Sequence, residues 1–293
     1  MQRRNFIRTT GVLSLLSPVD SIANFKKLTM DRQKICGTCG TQFPKNSTVD
    51  ICTICAEERQ YVPLSGQIWT NHDQILETHK NKIVKLNDNL FEIVIEPSFG
   101  IGQRAFLVLS KSGNVLWDCI PLLNKETIDF INSKGGIKAI AFSHPHYYSN
   151  MNDWAATFDC PIYIHNNDAP YIVDKGQNVI LWDGKEKKLW DDLKLINLGG
   201  HFDGSSVMLI PSMSQKGVML TGDTVYLSLS KKHFAIMYSY PNRIPLPLRE
   251  IKRIKKRLVA IPFDTIYGFY SYQNVLGNAK ELVMTSVERY LAS

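Results

Sequence analysis

The stretch IKAIAFSHPHYYS, residues 137–149, joins a short apolar run to two histidines. Ile137 to Phe142 follows Gly135-Gly136 and is too short for a helix, so it reads as a buried strand. His144 and His146 come just past its end, where both imidazoles can turn from one loop toward one ion. That pair alone is a weak signal, but two further strands end in the same way. LKLINL (193–198) runs into Gly199-Gly200-His201, and KGVMLTG (216–222) runs into Asp223-Thr224. Three histidines and a carboxylate at strand termini form a candidate site for zinc or a similar borderline metal. The glycines permit close approach of the backbone.

Strands and helices alternate around this core. LFEIVIE (90–96), RAFLVL (104–109), NVLWDC (114–119), PIYIH (161–165) and SSVMLIP (205–211) have strand character. Helical spacing marks 125–134, 247–259 and 278–291, and also 68–82, where His72 and His79 share one face and read as surface histidines. Mixed elements without a long linker predict one α/β domain over residues 63–293. Asn150 to Asp153 reads as the start of a helix into Trp154, so a capping role for Asp153 is preferred to a ligand role.

Ahead of this domain stands ICGTCGTQFPKNSTVDICTIC. Cys36 and Cys39 form one C-x-x-C, Cys52 and Cys55 another, with twelve residues between the pairs. Two such knuckles complete an all-thiolate tetrahedron of the kind structural zinc prefers. So short a segment has no hydrophobic core of its own, so the metal must supply its folding energy. The reading is a zinc-ribbon segment over 30–62. Two disulfides or a redox C-x-x-C are the alternatives. Cys119 and Cys160 read as buried small hydrophobes.

His144-x-His146, Gly200-His201 and Gly222-Asp223 resemble, in order and context, the metallo-β-lactamase-fold hydrolases. NVLWDC resembles that family's strand ending in an Asp before the active site, and DCPIYIH its strand after the histidine motif. The chain is further similar to a subgroup with an N-terminal four-cysteine ribbon. The resemblance implies an αββα sandwich with metal at one rim. It also implies metal ligands His144, His146, His201 and Asp223, the last being the residue that usually bridges two ions. The family motif H-x-H-x-D-H is broken, because Tyr148 and Ser149 stand at its last two positions. Phe269 occupies the place of the final histidine. The second metal site thus keeps only the shared Asp223, which implies a single rim zinc beside the structural one. The implied activity is attack of a metal-bound water on an ester, thioester, lactone or related acyl bond, with Asp223 and Tyr148 as catalytic residues. Tyr148 would supply the donor that a second metal otherwise provides. The other reading is a catalytically degenerate binding protein that keeps the fold.

Composition agrees with a globular chain: 293 residues, 44% hydrophobic and 21% charged, with a net charge of +7. No apolar run approaches the ~18 residues of a membrane span. Residues 1–29 hold Arg3, Arg4, Arg8, Lys26 and Lys27 against Asp20, so +4 of the +7 lies there and +3 remains. This lead reads as a twin-arginine export signal, which would place the protein in the periplasm. If translation starts at Met30, the protein is cytoplasmic. Arg249, Lys252, Arg253, Lys255, Lys256 and Arg257 form the solvated face of an amphipathic helix rather than a nucleic-acid surface, so the expected partner is a small-molecule substrate.

Overall fold

The structure, a computed structural model, describes residues 34–292. The export-signal reading of residues 1–29 lies outside the described residues. At the start, β1 (Lys34–Cys36), β2 (Gln42–Phe43) and β3 (Trp69–Thr70) form a small sheet in the order β2-β1-β3. Cys36 pairs with Trp69 in this sheet, so the ribbon continues past residue 62. Helix α1 (His72–Thr78) follows, capped by the Asn71 side chain on the Gln74 N–H at 2.9 Å.

The first large sheet holds β4 (Lys80–Asn87), β5 (Leu90–Glu96), β6 (Ala105–Val108), β7 (Val115–Trp117), β8 (Ala139–Ala141), β9 (Ile162–His165) and β10 (Val179–Trp182), in spatial order β10 to β4. The helix expected over 68–82 is therefore only seven residues long. Its first residues belong to β3 and its last to β4, because Lys80 to Asn87 pair antiparallel with β5. Cross-strand pairing overrides local helical spacing there. Helices α2 (Lys125–Ser133) and α3 (Met151–Phe158) cross over between parallel neighbours β7, β8 and β9.

The second sheet opens with β11 (Glu186–Lys188), β12 (Lys194–Asn197), β13 (Ser206–Ile210) and β14 (Val218–Leu220). Two hairpins follow, β15 (Tyr226–Leu227) with β16 (Phe234–Ala235) and β17 (Met237–Ser239) with β18 (Ile244–Pro245). Helix α4 (Leu248–Ala260) leads back to β19 (Thr265–Tyr267), parallel to β14, and then β20 (Asn274–Val275) and α5 (Ala279–Ala292) end the fold.

Strand periodicity builds the layers. Phe106, Val108, Trp117, Met208, Leu220 and Tyr267 point between the sheets. Their neighbours Leu107, Leu116 and Ile140 pack outward with Trp154 and Ile131 of α3 and α2. Val207, Leu209, Met219 and Ile266 pack outward with Ile251, Ile254 and Val283 of α4 and α5. Strands buried on both faces explain the nearly continuous apolar runs. The result is an αββα sandwich. Arg104, buried at 1% exposure, ties the two sheets together by ion-pairing with Glu92 and donating to the Gly268 carbonyl at 2.8 Å. Among the described residues, no helix is long and apolar enough to cross a membrane.

Candidate metal centre

Strand ends deliver the four groups. His144 caps and His146 lies within the short 3-10 turn Pro145–Tyr147 after β8, His201 follows β12, and Asp223 follows β14. The Ser206 N–H donates to the Ser143 carbonyl at 2.8 Å, so the edges of the two sheets meet at this rim. Gly200 has φ +94°, a left-handed turn that L side chains resist, and a Cβ there would stand 2.7 Å from Ile254 Cδ1.

His144 Nε2, His146 Nδ1 and His201 Nε2 lie 3.3, 4.0 and 3.6 Å from Asp223 Oδ2. His201 Nε2 is 3.3 Å from His146 Nδ1. A tetrahedron with ligand distances of about 2.0–2.1 Å has edges of about 3.3–3.4 Å, so these groups fit a zinc-sized ion. All four residues are buried. Burial pushes His146 down to about 4 and His201 well below the ordinary imidazole range, which keeps both neutral and able to ligate. Burial would raise the Asp223 carboxyl, but positive charge among the surrounding histidines, a proton or an ion in its place, holds it well below the carboxylate range.

The tautomer of His144 follows from counting protons. The Ser143 hydroxyl donates to Asp118 Oδ2 at 2.9 Å, so its oxygen accepts from His144 Nδ1, also at 2.9 Å. Nδ1 therefore carries the proton and Nε2 presents its lone pair. That buried nitrogen has no hydrogen-bond partner, as expected of a metal ligand. Asp118, whose other oxygen accepts the Ser143 N–H at 2.7 Å, is thus an orienting group.

Gly222 makes this arrangement possible. A Cβ on it would fall 2.3 Å from Ser143 Oγ and 2.7 Å from His144 Nδ1. Gly222→Ala is expected to lower zinc affinity at this site by roughly 10- to 100-fold, since it displaces an orienting contact. Competition with a chromophoric chelator measures the change, and wild-type affinity would refute the account.

Tyr148 is not brought to the group. Its ring packs edge-on against Phe142 at 4.9 Å, and burial raises its phenol well above the ordinary range. Tyr147 takes the position instead. Its hydroxyl donates to Asp223 Oδ1 at 2.8 Å and its ring lies 4.3 Å from that of His144. A 3-10 turn has three residues per turn, which places Tyr147 over His144 and turns Tyr148 away. Phe269 stands 5.6 Å from Tyr147 and 5.4 Å from Tyr226, so aromatic rings fill the space where the final histidine was missing. Tyr240 donates to the Asp223 carbonyl at 2.7 Å. Asp153 accepts from Gln42 Nε2 at 2.9 Å and lies apart from the ligand group, while Tyr267 packs in the inter-sheet core. His72 is buried rather than exposed, with Nε2 3.0 Å from the Leu123 carbonyl.

The four clustered cysteines form a second group. Cys36 and Cys55 sulfurs are 3.7 Å apart, and those of Cys39 and Cys52 are 3.6 Å apart. Disulfide sulfurs sit at about 2.05 Å, so no disulfide joins them. A zinc thiolate tetrahedron with bonds of about 2.3 Å has edges of about 3.8 Å, which these separations match. Each group gathers its four ligand atoms within 4.8 Å of one another.

No protein-family model matches the chain. It is 41% identical over 263 residues to the uncharacterised protein YmaE of Bacillus subtilis strain 168, covering 88% of this chain and 95% of that protein. Among solved structures it resembles the metallo-β-lactamase DIM-1 with a TM-score of 0.54 at 14% identity, over 72% of this chain and 98% of that one. The metallo-β-lactamase of Pontibacter korlensis gives a TM-score of 0.52 at 14% identity, over 73% and 98%. At such identities the likeness establishes the fold, and the layers and rim described above agree with it. The chain therefore belongs to the family of YmaE and carries a metallo-β-lactamase fold behind a four-cysteine cluster.

Proposed function

We propose that the protein is a metal-dependent hydrolase with one zinc at the rim and a second, structural zinc in the ribbon. Its substrate is a small molecule with an ester, thioester, lactone or related acyl bond. His144, His146, His201 and Asp223 would hold the rim ion. A bound zinc supplies Lewis acidity and lowers the pKa of water toward neutrality. The observation that carries the single-ion reading is the Tyr147–Asp223 bond. Asp223 Oδ2 faces the histidines, while Oδ1 accepts the Tyr147 phenol and so has a protein partner instead of a second ion. Burial and the Asp223 charge raise Tyr147 well above the ordinary phenol range, so it keeps its proton and donates. Asp118 and Ser143 keep His144 in the ligating tautomer. Phe269, Tyr226 and Tyr240 form a run of aromatic rings that reaches Asp223 through the Tyr240 hydroxyl.

One observation favours a second reading. Four protein groups at tetrahedral separations match a closed structural site, whereas catalytic zinc keeps a position open. A ligand-binding protein with a closed rim ion would have the same four groups.

Zinc counting on the purified full chain, with esterase, thioesterase and lactonase screens, separates the readings. About two zinc ions per chain with acyl hydrolysis supports the proposal. The same count with no hydrolysis favours the binding protein. A single ion that disappears when the clustered cysteines are replaced defeats both. Tyr147→Phe is expected to reduce hydrolysis by roughly 10- to 100-fold with the zinc count kept, because it frees Asp223 from its partner. Tyr148→Phe serves as the comparison and is expected to stay near wild type. A Tyr148→Phe loss larger than the Tyr147→Phe loss would reverse the two assignments.

A further inference from the structure

We propose that Arg59, carried on the segment that leaves the four-cysteine knuckle, is a positioning residue that makes metal binding at the rim depend on an intact ribbon. The inference rests on the reading that the rim group holds a metal.

Arg59 follows Cys55 by four residues, yet its Nε–H donates to the carbonyl of His201. Its guanidinium lies between the rings of Tyr238 and Phe202, 4.0 and 4.3 Å from their centroids. Glu57 pairs with it. The segment itself is pinned to the body, because Asn242 Nδ2 donates to the carbonyls of Glu58 and Gln60 at 2.9 and 2.8 Å. The Ser239 hydroxyl donates to the Arg59 carbonyl at 3.0 Å. The same ribbon also holds the other ligand loop. The Gln42 N–H donates to the Ser149 carbonyl at 3.1 Å, three residues past His146, and the Gln42 amide donates to Asp153 at 2.9 Å. Ser149 has φ +45°, a left-handed conformation that a serine keeps only when its surroundings impose it.

The ribbon thus restrains the backbone at His201 and three residues past His146. A ligand carbonyl fixed by a hydrogen bond fixes the adjoining peptide plane, and with it the direction of the imidazole. Partners outside the ligand set are worth 10- to 100-fold in metal affinity. Arginine suits this role because its planar fork can stack on two rings and still direct one N–H, which lysine cannot do. The ribbon's own buried set consists of the four cysteines with Phe43 and Ile54. Such a core does not hold its shape without metal, so loss of the thiolate-bound ion releases Arg59 and Gln42 together.

Cobalt(II) titration of the full-length, metal-stripped chain tests the coupling, since the two centres have separate signatures. Thiolate-to-cobalt charge transfer reports the ribbon, and the weaker ligand-field bands of a nitrogen and oxygen set report the rim. In the wild type, the ribbon signal should fill first and the rim bands at higher affinity than in a chain whose ribbon thiols have been blocked by a mercurial. Arg59→Lys and Arg59→Ala should keep the charge-transfer band and the ribbon affinity unchanged while weakening rim affinity by about 10-fold or more. Gln42→Ala should weaken it in the same direction, which keeps the proposal testable if an Arg59 variant misfolds. Equal rim affinity in wild type, Arg59→Lys and mercurial-treated chain would overturn the coupling and leave the hydrolase reading intact. Absence of rim bands in the wild type would overturn both.

Discussion

His201→Ala is expected to cut the zinc content of the purified chain from about two ions to about one. Acyl hydrolysis should fall by about 1000-fold or more, because Lewis-acid stabilisation of several kcal/mol disappears with the ion. The prediction follows from geometry that no other residue can replace. His201 Nε2 stands 3.6 Å from Asp223 Oδ2 and 3.3 Å from His146 Nδ1, and its removal opens all three edges that meet at that corner of the four-group set. The remaining imidazoles stay buried, and no neighbouring carboxylate or thiol reaches the vacated corner among the described groups. Because the Arg59 contact uses the His201 carbonyl rather than its ring, the backbone anchor survives the change. Circular dichroism should therefore report an intact fold. Elemental analysis and initial rates decide the matter, and retention of two ions per chain would remove His201 from the ligand set.

Cys52→Ser should have the second large effect, on stability rather than on the rim ligands themselves. Structural zinc contributes about 10–16 kcal/mol to zinc-finger peptides, and most of that is folding energy. Cys52 Sγ lies 3.6 Å from Cys39 Sγ in a small buried set with Phe43 and Ile54, and the contacts from this segment to the body depend on that set keeping its shape. Loss of one thiolate should release the ribbon zinc, lower the melting temperature and expose this segment to protease, with cleavage confined to residues before α1. Limited proteolysis with mass spectrometry reads the result. A wild-type digestion pattern and undiminished zinc would show that the four cysteines do not form a folding-coupled metal site.

The candidate ligand group was legible in the sequence because its members follow strand ends. A buried parallel or mixed sheet places its strand ends at one rim, so residues at those ends converge whatever the loops do. Gly200 and Gly222 marked the same places, since a side chain on Gly222 would collide with Ser143 and His144, and one on Gly200 with Ile254 of α4 behind the His201 loop. The two C-x-x-C pairs were legible for a related reason, because a metal tetrahedron imposes short-range spacing that survives any tertiary context. The helix expected over 68–82 failed for the opposite reason. Its spacing fitted a helix, but Lys80 to Asn87 had β5 as an available partner, and pairing outweighed propensity. His72 was misplaced with it, since the helix turns that residue inward to the Leu123 carbonyl.

The sandwich, the four-cysteine cluster and the grouping of three histidines with Asp223 could be read along the chain. Those features depend on periodicity and on residues at strand ends, both of which are written along the chain. Tertiary structure alone decided which tyrosine meets Asp223, because a 3-10 turn advances three residues per turn and a longer-period turn would have chosen differently. It also decided that Asp118 acts on His144 through Ser143, and that Arg59 reaches His201 across 142 positions of sequence. Such contacts join side chains whose directions are set by packing between separate elements, and no local spacing encodes them.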